Sequence, residues 1–142
     1  MITVQRRVVL DPGVLLSGFI SSGGITASLL DAVLERRVVA IVSPRLVREL
    51  HTVLLRDKFR RYASPEEVDA FVVRLLASSD VVDDPQQVPA ISRDPDDDYI
   101  IALARAEQDV VVSGDDDLLT LELSDVEVLT PRVFLETLVD PG

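Results

Sequence analysis

The sequence of 142 residues predicts one α/β domain with a parallel β-sheet. Short runs of β-branched residues alternate along it with longer segments whose apolar residues recur at helical spacing. The short runs lack polar alternation, which is typical of parallel strands that helices cover on both faces. With 47% hydrophobic residues, the chain can fill one core, and we expect a single domain over residues 1–142.

The first half of the chain contains two predicted strands and two predicted helices. Val8-Val9-Leu10 is the first strand, and it ends at the breaker cluster Asp11-Pro12-Gly13. A helix follows over residues 27–35, and residues 38–42 form the second strand. Ser43-Pro44 then predicts an N-cap and a proline at the first position of a helix that ends near residue 56.

The second half repeats the alternation. Ser64-Pro65-Glu66-Glu67 is a capping box with proline at the first helical position, and it predicts the start of another helix. Residues 83–95 contain three prolines and are predicted to be a loop. The remaining predicted elements are strands at 81–82, 110–112 and 126–129 and helices at 96–107, 118–121 and 131–139.

Composition excludes several kinds of site and partner. There is no cysteine, so disulfides and thiolate metal ligands are excluded. No segment has the roughly 18 apolar residues of a membrane span, and we expect a soluble cytoplasmic protein without a membrane partner.

The net charge of −11 would repel nucleic acid on average, so a polyanion partner would need a metal ion and a local basic patch. The alternative for any such patch is an ordinary solvated face. The candidate patch consists of Arg45, Arg48, Arg56, Lys58, Arg60 and Arg61.

Acidic residues stand at places where the predicted fold could bring them together. Asp11 and Asp115 each follow a strand, at the edge of a parallel sheet where ligands bind. The alternative for Asp11 is a turn-forming residue before Pro-Gly. Glu49 lies at the border of the apolar stripe of its helix, and its alternative role is a surface pair with Arg45.

The run Asp96-Asp97-Asp98 starts a predicted helix that is apolar nearly all round from Ile100 to Glu107. Helix capping explains one or two aspartates there, but with Asp94 there are four within five residues. We take Asp98 as the candidate ligand of this group. After the strand at 110–112, Asp115 is the first candidate and Asp117 the second.

Carboxylates that converge need protons or a cation to relieve their repulsion, and the alternative is that they lie apart. Two of them about 5 Å apart repel by roughly 3 kcal/mol at an effective dielectric near 20. Oxygen ligands without histidine or cysteine nearby favour Mg²⁺ or Mn²⁺. The only histidine, His51, is predicted to be a helix surface residue.

The ordered set of motifs resembles the PIN-domain family, in its prokaryotic branch of toxins from toxin–antitoxin systems. The resemblance covers residues 7–139. It rests on Val8-Val9-Leu10-Asp11, the Ser43-Pro44 helix with Glu49, Asp94-Pro95-Asp96-Asp97-Asp98, Val112-Ser113-Gly114-Asp115-x-Asp117 and Leu129-Thr130-Pro131.

The resemblance implies a three-layer α/β/α sandwich and metal-dependent cleavage of single-stranded RNA. It also implies a cognate antitoxin partner, and homodimers are usual in the family. The implied catalytic residues are Asp11, Glu49, Asp98 and Asp115, and the implied metal ligands are Asp11, Asp98, Asp115 and Asp117. Ser113, Arg45 and Arg48 are the candidate substrate-binding residues.

One departure from the family favours a rival interpretation. The family usually has Asp-Thr-Asn where this chain has Asp11-Pro12-Gly13, so the groups that orient Asp11 are expected to be missing. The chain could then be a weakened or inactive scaffold that binds a partner protein. A phosphatase of the haloacid-dehalogenase type is a lower-ranked rival, because it needs a second aspartate where Gly13 stands.

Overall fold

A computed structural model describes residues 6–138 and contains five strands and seven α-helices in that range. The strands are β1 (Arg6–Leu10), β2 (Val38–Val42), β3 (Asp80–Val81), β4 (Val110–Val112) and β5 (Val128–Leu129). The helices are α1 (Pro12–Ile20), α2 (Ile25–Leu34), α3 (Pro44–Leu54), α4 (Pro65–Ser78), α5 (Pro95–Glu107), α6 (Asp116–Leu119) and α7 (Pro131–Thr137), and a 3-10 turn covers Asp57–Phe59.

The strands form one parallel sheet in the order β3-β2-β1-β4-β5. The central strand β1 pairs with β2 through Val8 and Ala40, and with β4 through Val8 and Val110. From β1 to β3 the chain moves across the sheet in one direction, and β4 and β5 lie on the other side of β1. This reversal places the topological switch point of the sheet between β1 and β4.

Both faces of the sheet are covered, as the uninterrupted apolar strands predict. Val8, Val9 and Leu10 point alternately to the two faces, and each is at most 1% exposed. Right-handed connections place the helices between β1 and β3 on one face and α5 on the other, because the chain crosses the sheet in opposite directions. The predicted α/β fold with a central parallel sheet is confirmed.

Helix α1 was not predicted, because Asp11-Pro12-Gly13 was interpreted as a breaker. In the structure Asp11 is the N-cap of α1, and its side chain accepts a hydrogen bond from Gly13 N. Pro12 occupies the first turn, where a backbone N–H has no partner within the helix in any case. The three residues therefore start a helix rather than ending a strand in a loop.

Most other elements agree with the predictions within a few residues. The capping box at Ser64 and Glu67 is present in both directions, and β4 has its predicted bounds. Ser43 lies at the N-cap position of α3, but its side chain makes no capping hydrogen bond. The last predicted helix, 131–139, is present as α7 to Thr137, and residue 139 lies outside the described residues.

Within residues 6–138, no single helix is long and apolar enough to cross a bilayer. The consecutive helices α1 and α2 reach that length and composition only together, and they meet at an angle of 100°.

The close approach of α1 to α2 depends on Gly18. A Cβ atom at this position would lie 2.7 Å from the backbone oxygen of Thr26 and 2.9 Å from Cβ of Leu30. Backbone oxygen cannot move away as the end of a flexible side chain can. A larger residue at position 18 must therefore separate the two helices.

Gly18→Ala should lower the free energy of unfolding by about 1–2 kcal/mol, because the steric conflict outweighs the roughly 1 kcal/mol gain in helix propensity. Urea denaturation measures the change. Gly23→Ala is the matched control, since a Cβ there meets no heavy atom within 4 Å. Equal stability of the two variants would show that α1 and α2 tolerate the added methyl group.

Candidate metal centre

The ends of β1 and β4 bring two sequence-distant aspartates to the switch point of the sheet. Asp11 follows β1 directly, and its backbone N–H continues the ladder by donating to the carbonyl of Val112 at 3.0 Å. Asp115 follows β4 after two residues. Open α/β sheets bind their ligands in the crevice that such a reversal of strand order creates.

A cleft of about 240 Å³ lies beside these strand ends. Helix α3 contributes the predicted residue Glu49 to it, and the first turn of α5 contributes further carboxylates. Apolar side chains, among them Leu50 and Ile100, line the rest of the cleft. Its acidic lining residues are Asp11, Glu49, Asp94, Asp96, Asp97 and Asp115.

Both oxygens of the Asp11 carboxylate have a hydrogen-bond donor. Oδ1 accepts from Gly13 N at 3.0 Å, and Oδ2 accepts from the hydroxyl of Ser113 at 2.7 Å. The expectation that Pro12-Gly13 removes the groups that orient Asp11 is therefore wrong in this structure. A backbone amide and a serine from β4's carboxyl end hold the carboxylate.

Ser113 was predicted to bind substrate, and its position contradicts that role. Its side chain is fully buried. The hydroxyl donates to Asp11 and accepts from the backbone N–H of Asp115 at 3.0 Å. Ser113 thus ties together the two aspartates at the switch point and presents no group to a substrate in the cleft.

The structure does not bring Asp98 into the acidic cleft. Its Oδ1 accepts hydrogen bonds from Ile91 N, Ser92 N and Ser92 Oγ at 2.7–3.0 Å, so it fixes the loop that precedes α5. Burial alone would raise the pKa of Asp98, but these hydrogen bonds outweigh it and lower the pKa below its ordinary value. The neighbouring Asp97 lines the cleft instead.

Asp97 is the most deeply buried carboxylate among the residues that line the cleft. It is 7% exposed, and its buried Oδ2 has no hydrogen-bond partner among the described residues. Burial is the largest cause that raises the pKa of Asp97 to about 6, and the carboxylates of Asp115, Asp94 and Asp11 add to it. A buried, unpartnered oxygen that is surrounded by negative charge is a natural ligand for a cation.

Asp97 has two acidic neighbours at ligand distance from one another. One carboxylate oxygen each of Asp97, Asp115 and Asp117 lies within 4.8 Å of the others. Asp115 is the N-cap of α6, and its Oδ1 accepts from Asp117 N at 2.9 Å. Since every donor atom is a carboxylate oxygen, the group fits a hard divalent cation such as Mg²⁺ or Mn²⁺.

Glu49 faces this group from α3. Burial raises the pKa of Glu49, and the neighbouring carboxylates of Asp96 and Asp11 raise it further, whereas Arg45 lowers it. Glu49 and Arg45 form no direct ion pair among the described residues; the guanidinium of Arg45 instead pairs with Asp96 at 3.6 Å. Glu49 thus interacts with Asp96 and Arg45 at the wall of the cleft, where it also faces the interior.

Arg45 and Arg48 lie beside the cleft, in an adjoining groove. The guanidinium of Arg45 stacks over the ring of Tyr99, 4.3 Å from its centroid. The buried hydroxyl of Tyr99 bonds to Ser43 and Asp84, and Asp84 also accepts from Arg45 N. Sequence reasoning missed this network; the available signal was a tyrosine at the start of the apolar stretch of α5.

Comparison with known proteins finds a matching protein family, a similar sequence and several similar folds. A model of the PIN domain family matches residues 7–117. The uncharacterized protein MJ1680 of Methanocaldococcus jannaschii is 28% identical over 142 residues, covering 94% of this chain and 92% of that protein.

Three solved structures share the fold. VapBC2 from Rickettsia felis, bound to a DNA fragment from its promoter, has a TM-score of 0.62 at 11% identity, covering 87% of this chain and 98% of the other. FitAB bound to an IR36 DNA fragment has a TM-score of 0.60 at 19% identity, with 87% and 94% covered. FitAcB from Neisseria gonorrhoeae has a TM-score of 0.56 at 21% identity, with 88% and 98% covered.

Asp97→Asn should stabilise the metal-free protein by about 1–3 kcal/mol at pH 8. The pKa of Asp97 is about 6 in the folded protein against an ordinary value of 3.8, so folding favours the protonated carboxyl. Wild-type stability from this group is full below pH 4 and is lost as the pH rises through 6. The gap between variant and wild type should therefore close at pH 4.

Urea denaturation in EDTA between pH 4 and pH 8 tests this. Asp31→Asn, on the exposed side of α2, is the matched control and should show a gap near zero throughout. A gap for Asp97→Asn that does not change with pH would contradict the raised pKa.

Proposed function

This chain belongs to the PIN domain family, and we propose that it is a ribonuclease that requires Mg²⁺ or Mn²⁺ and cleaves phosphodiester bonds of single-stranded RNA. The proposal includes the role of toxin in a toxin–antitoxin module. Family membership disfavours the phosphatase rival.

The observation that carries the proposal is the convergence of carboxylates on the buried oxygen of Asp97. Side chains from the ends of β1 and β4 and from α3 and α5 line one cleft. Without a cation, several like charges at this spacing would cost a substantial part of a domain's stability of about 5–15 kcal/mol. A cluster of like charges that lowers the stability of the folded protein is typical of a functional site rather than of a structural one.

In this proposal Asp11, Asp97, Asp115 and Asp117 would hold the cation. A divalent cation supplies charge neutralisation at the phosphate and lowers the pKa of a bound water. Glu49 accepts a proton from the attacking water, and its raised pKa brings it closer to the pH at which a general base works best. Asp98 acts only by fixing the loop at Ile91 and Ser92.

The rival role as an inactive scaffold loses its main support. It was based on Pro12-Gly13, but the amide of Gly13 and the hydroxyl of Ser113 hold Asp11 in place. The structures that share the fold support a partner for the toxin role. They are described as the complexes VapBC2 and FitAB bound to DNA. We therefore propose a cognate antitoxin, and a homodimer, for this chain.

Wild-type protein with Mg²⁺ or Mn²⁺ should cleave a single-stranded RNA. Asp11→Asn and Asp97→Asn should each lower the rate by at least about 100-fold, because each removes a ligand worth several kcal/mol in the transition state. Asp98→Asn should stay within about tenfold of wild type, since its amide oxygen still accepts from the loop. Gel analysis of a labelled RNA at fixed protein concentration measures the rates.

This comparison separates site chemistry from contamination. If wild type, Asp11→Asn and Asp97→Asn degrade RNA equally, a contaminating nuclease accounts for the signal. If Asp98→Asn is as inactive as Asp97→Asn while both remain folded by circular dichroism, the assignment of the ligand to Asp97 fails.

Ser113→Ala should weaken Mn²⁺ binding by about 10–100-fold, because the hydroxyl that orients Asp11 and meets the amide of Asp115 is lost. Calorimetric titration with Mn²⁺ measures the affinity. Ser78→Ala removes a hydroxyl that contacts only α4 and the carbonyl of Leu34, so it should leave Mn²⁺ affinity unchanged. Absence of Mn²⁺ binding by the wild type would instead favour the interaction scaffold.

A further inference from the structure

The acidic cleft continues into a groove on each side. The first groove shares Glu49, Val53 and Asp96 with the cleft and extends along α3. The second shares Asp11, Gly13 and Asp115 with the cleft and extends toward the start of α2. The three hollows form one track across the carboxyl ends of the strands, with the carboxylates in its middle.

The two ends of this track differ in charge. Three arginines line the first groove: Arg45, Arg48 and Arg56, which we call the arginine arm. The second groove has no arginine or lysine among its described lining residues. Its polar side chains include Ser17 and Thr26, whose hydroxyls bond to each other at 3.0 Å.

One arginine of the arginine arm is held in place by its neighbours, and the other two are exposed. Arg45 is held by its stacking on Tyr99 and by its contact with Asp96. Arg48 and Arg56 are exposed, and neither forms an ion pair with any residue between 6 and 138. Arg48 lies close enough to Asp84 to help lower the pKa of that carboxyl, but neither guanidinium is held in a direct ion pair with a described residue, so both can contact a phosphate.

The spacing of the arm suits an extended polyanion. The positions Arg45, Arg48 and Arg56 run along α3 and just past its end, over about 16 Å at 1.5 Å per residue. A nucleic acid strand is repelled by most of a protein with a net charge of −11, so a short cationic strip decides where it can lie. A strip of this length faces successive phosphates rather than one.

We propose that the RNA strand is held from one side of the scissile bond only, with successive phosphates on the arginine arm. The other side of the strand crosses the second groove, whose described lining residues include no arginine or lysine, and makes no ion pair there. This inference rests on the proposed ribonuclease function. It adds that the site is asymmetric: the salt-dependent part of the RNA affinity comes from the phosphates on one side of the scissile bond.

The test is the salt dependence of binding to a single-stranded RNA. Each phosphate contact contributes about 0.7 to the slope of log Kobs against log salt concentration for a single strand. Arg48→Gln/Arg56→Gln should therefore reduce the slope by about 1.4. Fluorescence anisotropy of a labelled oligonucleotide from 50 to 300 mM salt measures it, with Ca²⁺ in place of Mg²⁺ and the oligonucleotide checked for integrity afterwards.

Arg37→Gln/Arg74→Gln is the matched control, because it removes the same charge from two exposed residues outside the track. It should leave the slope within about 0.3 of wild type. Thermal unfolding should show that both double variants are folded.

A slope that falls equally in both double variants would overturn the proposal, because net charge and not the arm would then determine binding. An unchanged slope in Arg48→Gln/Arg56→Gln would overturn it as well. Since binding is read without turnover, this result is separate from the ribonuclease assay. If the wild type shows no metal-dependent cleavage, the proposed function is rejected. A salt slope that is reduced only in Arg48→Gln/Arg56→Gln would still identify the arginine arm as a phosphate-binding strip.

Discussion

The buried hydroxyl of Ser113 is the contact on which the geometry of the acidic cleft depends. It joins the carboxylate of Asp11 to the backbone of Asp115, across the two strands where the order of the sheet reverses. Because both strands are buried and paired residue by residue, the hydroxyl has one place to lie. The sheet thus fixes the relative positions of acidic side chains that lie far apart in the sequence.

Neighbouring aspartates in this region have different electrostatic surroundings and therefore different roles. Asp98 has backbone and hydroxyl donors and is stable as an anion, whereas Asp97 lacks a partner on one buried oxygen and faces other carboxylates. Two adjacent residues of the same type therefore differ in the direction of their pKa shifts. The first supports a loop, and the second provides the strained oxygen that a cation would relieve.

Local pattern sufficed for most of the fold and for part of the site. The strand β4 was predicted to the residue, because a short β-branched run between breakers has few other structures open to it. Helix α1 was missed since proline and glycine after Asp11 start a helix as readily as they end a strand. Asp97 was missed because adjacent helical residues point about 100° apart and α5 is apolar nearly all round, so its sequence does not reveal which aspartate faces the cleft.

The pairing of β1 with β4 also affects how the protein is made. Asp11 and Ser113 are 102 residues apart in the chain, and no contact between them can form until both have been synthesised. Closing so long a loop is slow compared with forming local helices. The acidic cleft is therefore incomplete on a growing chain until the last third has been translated and has joined the sheet.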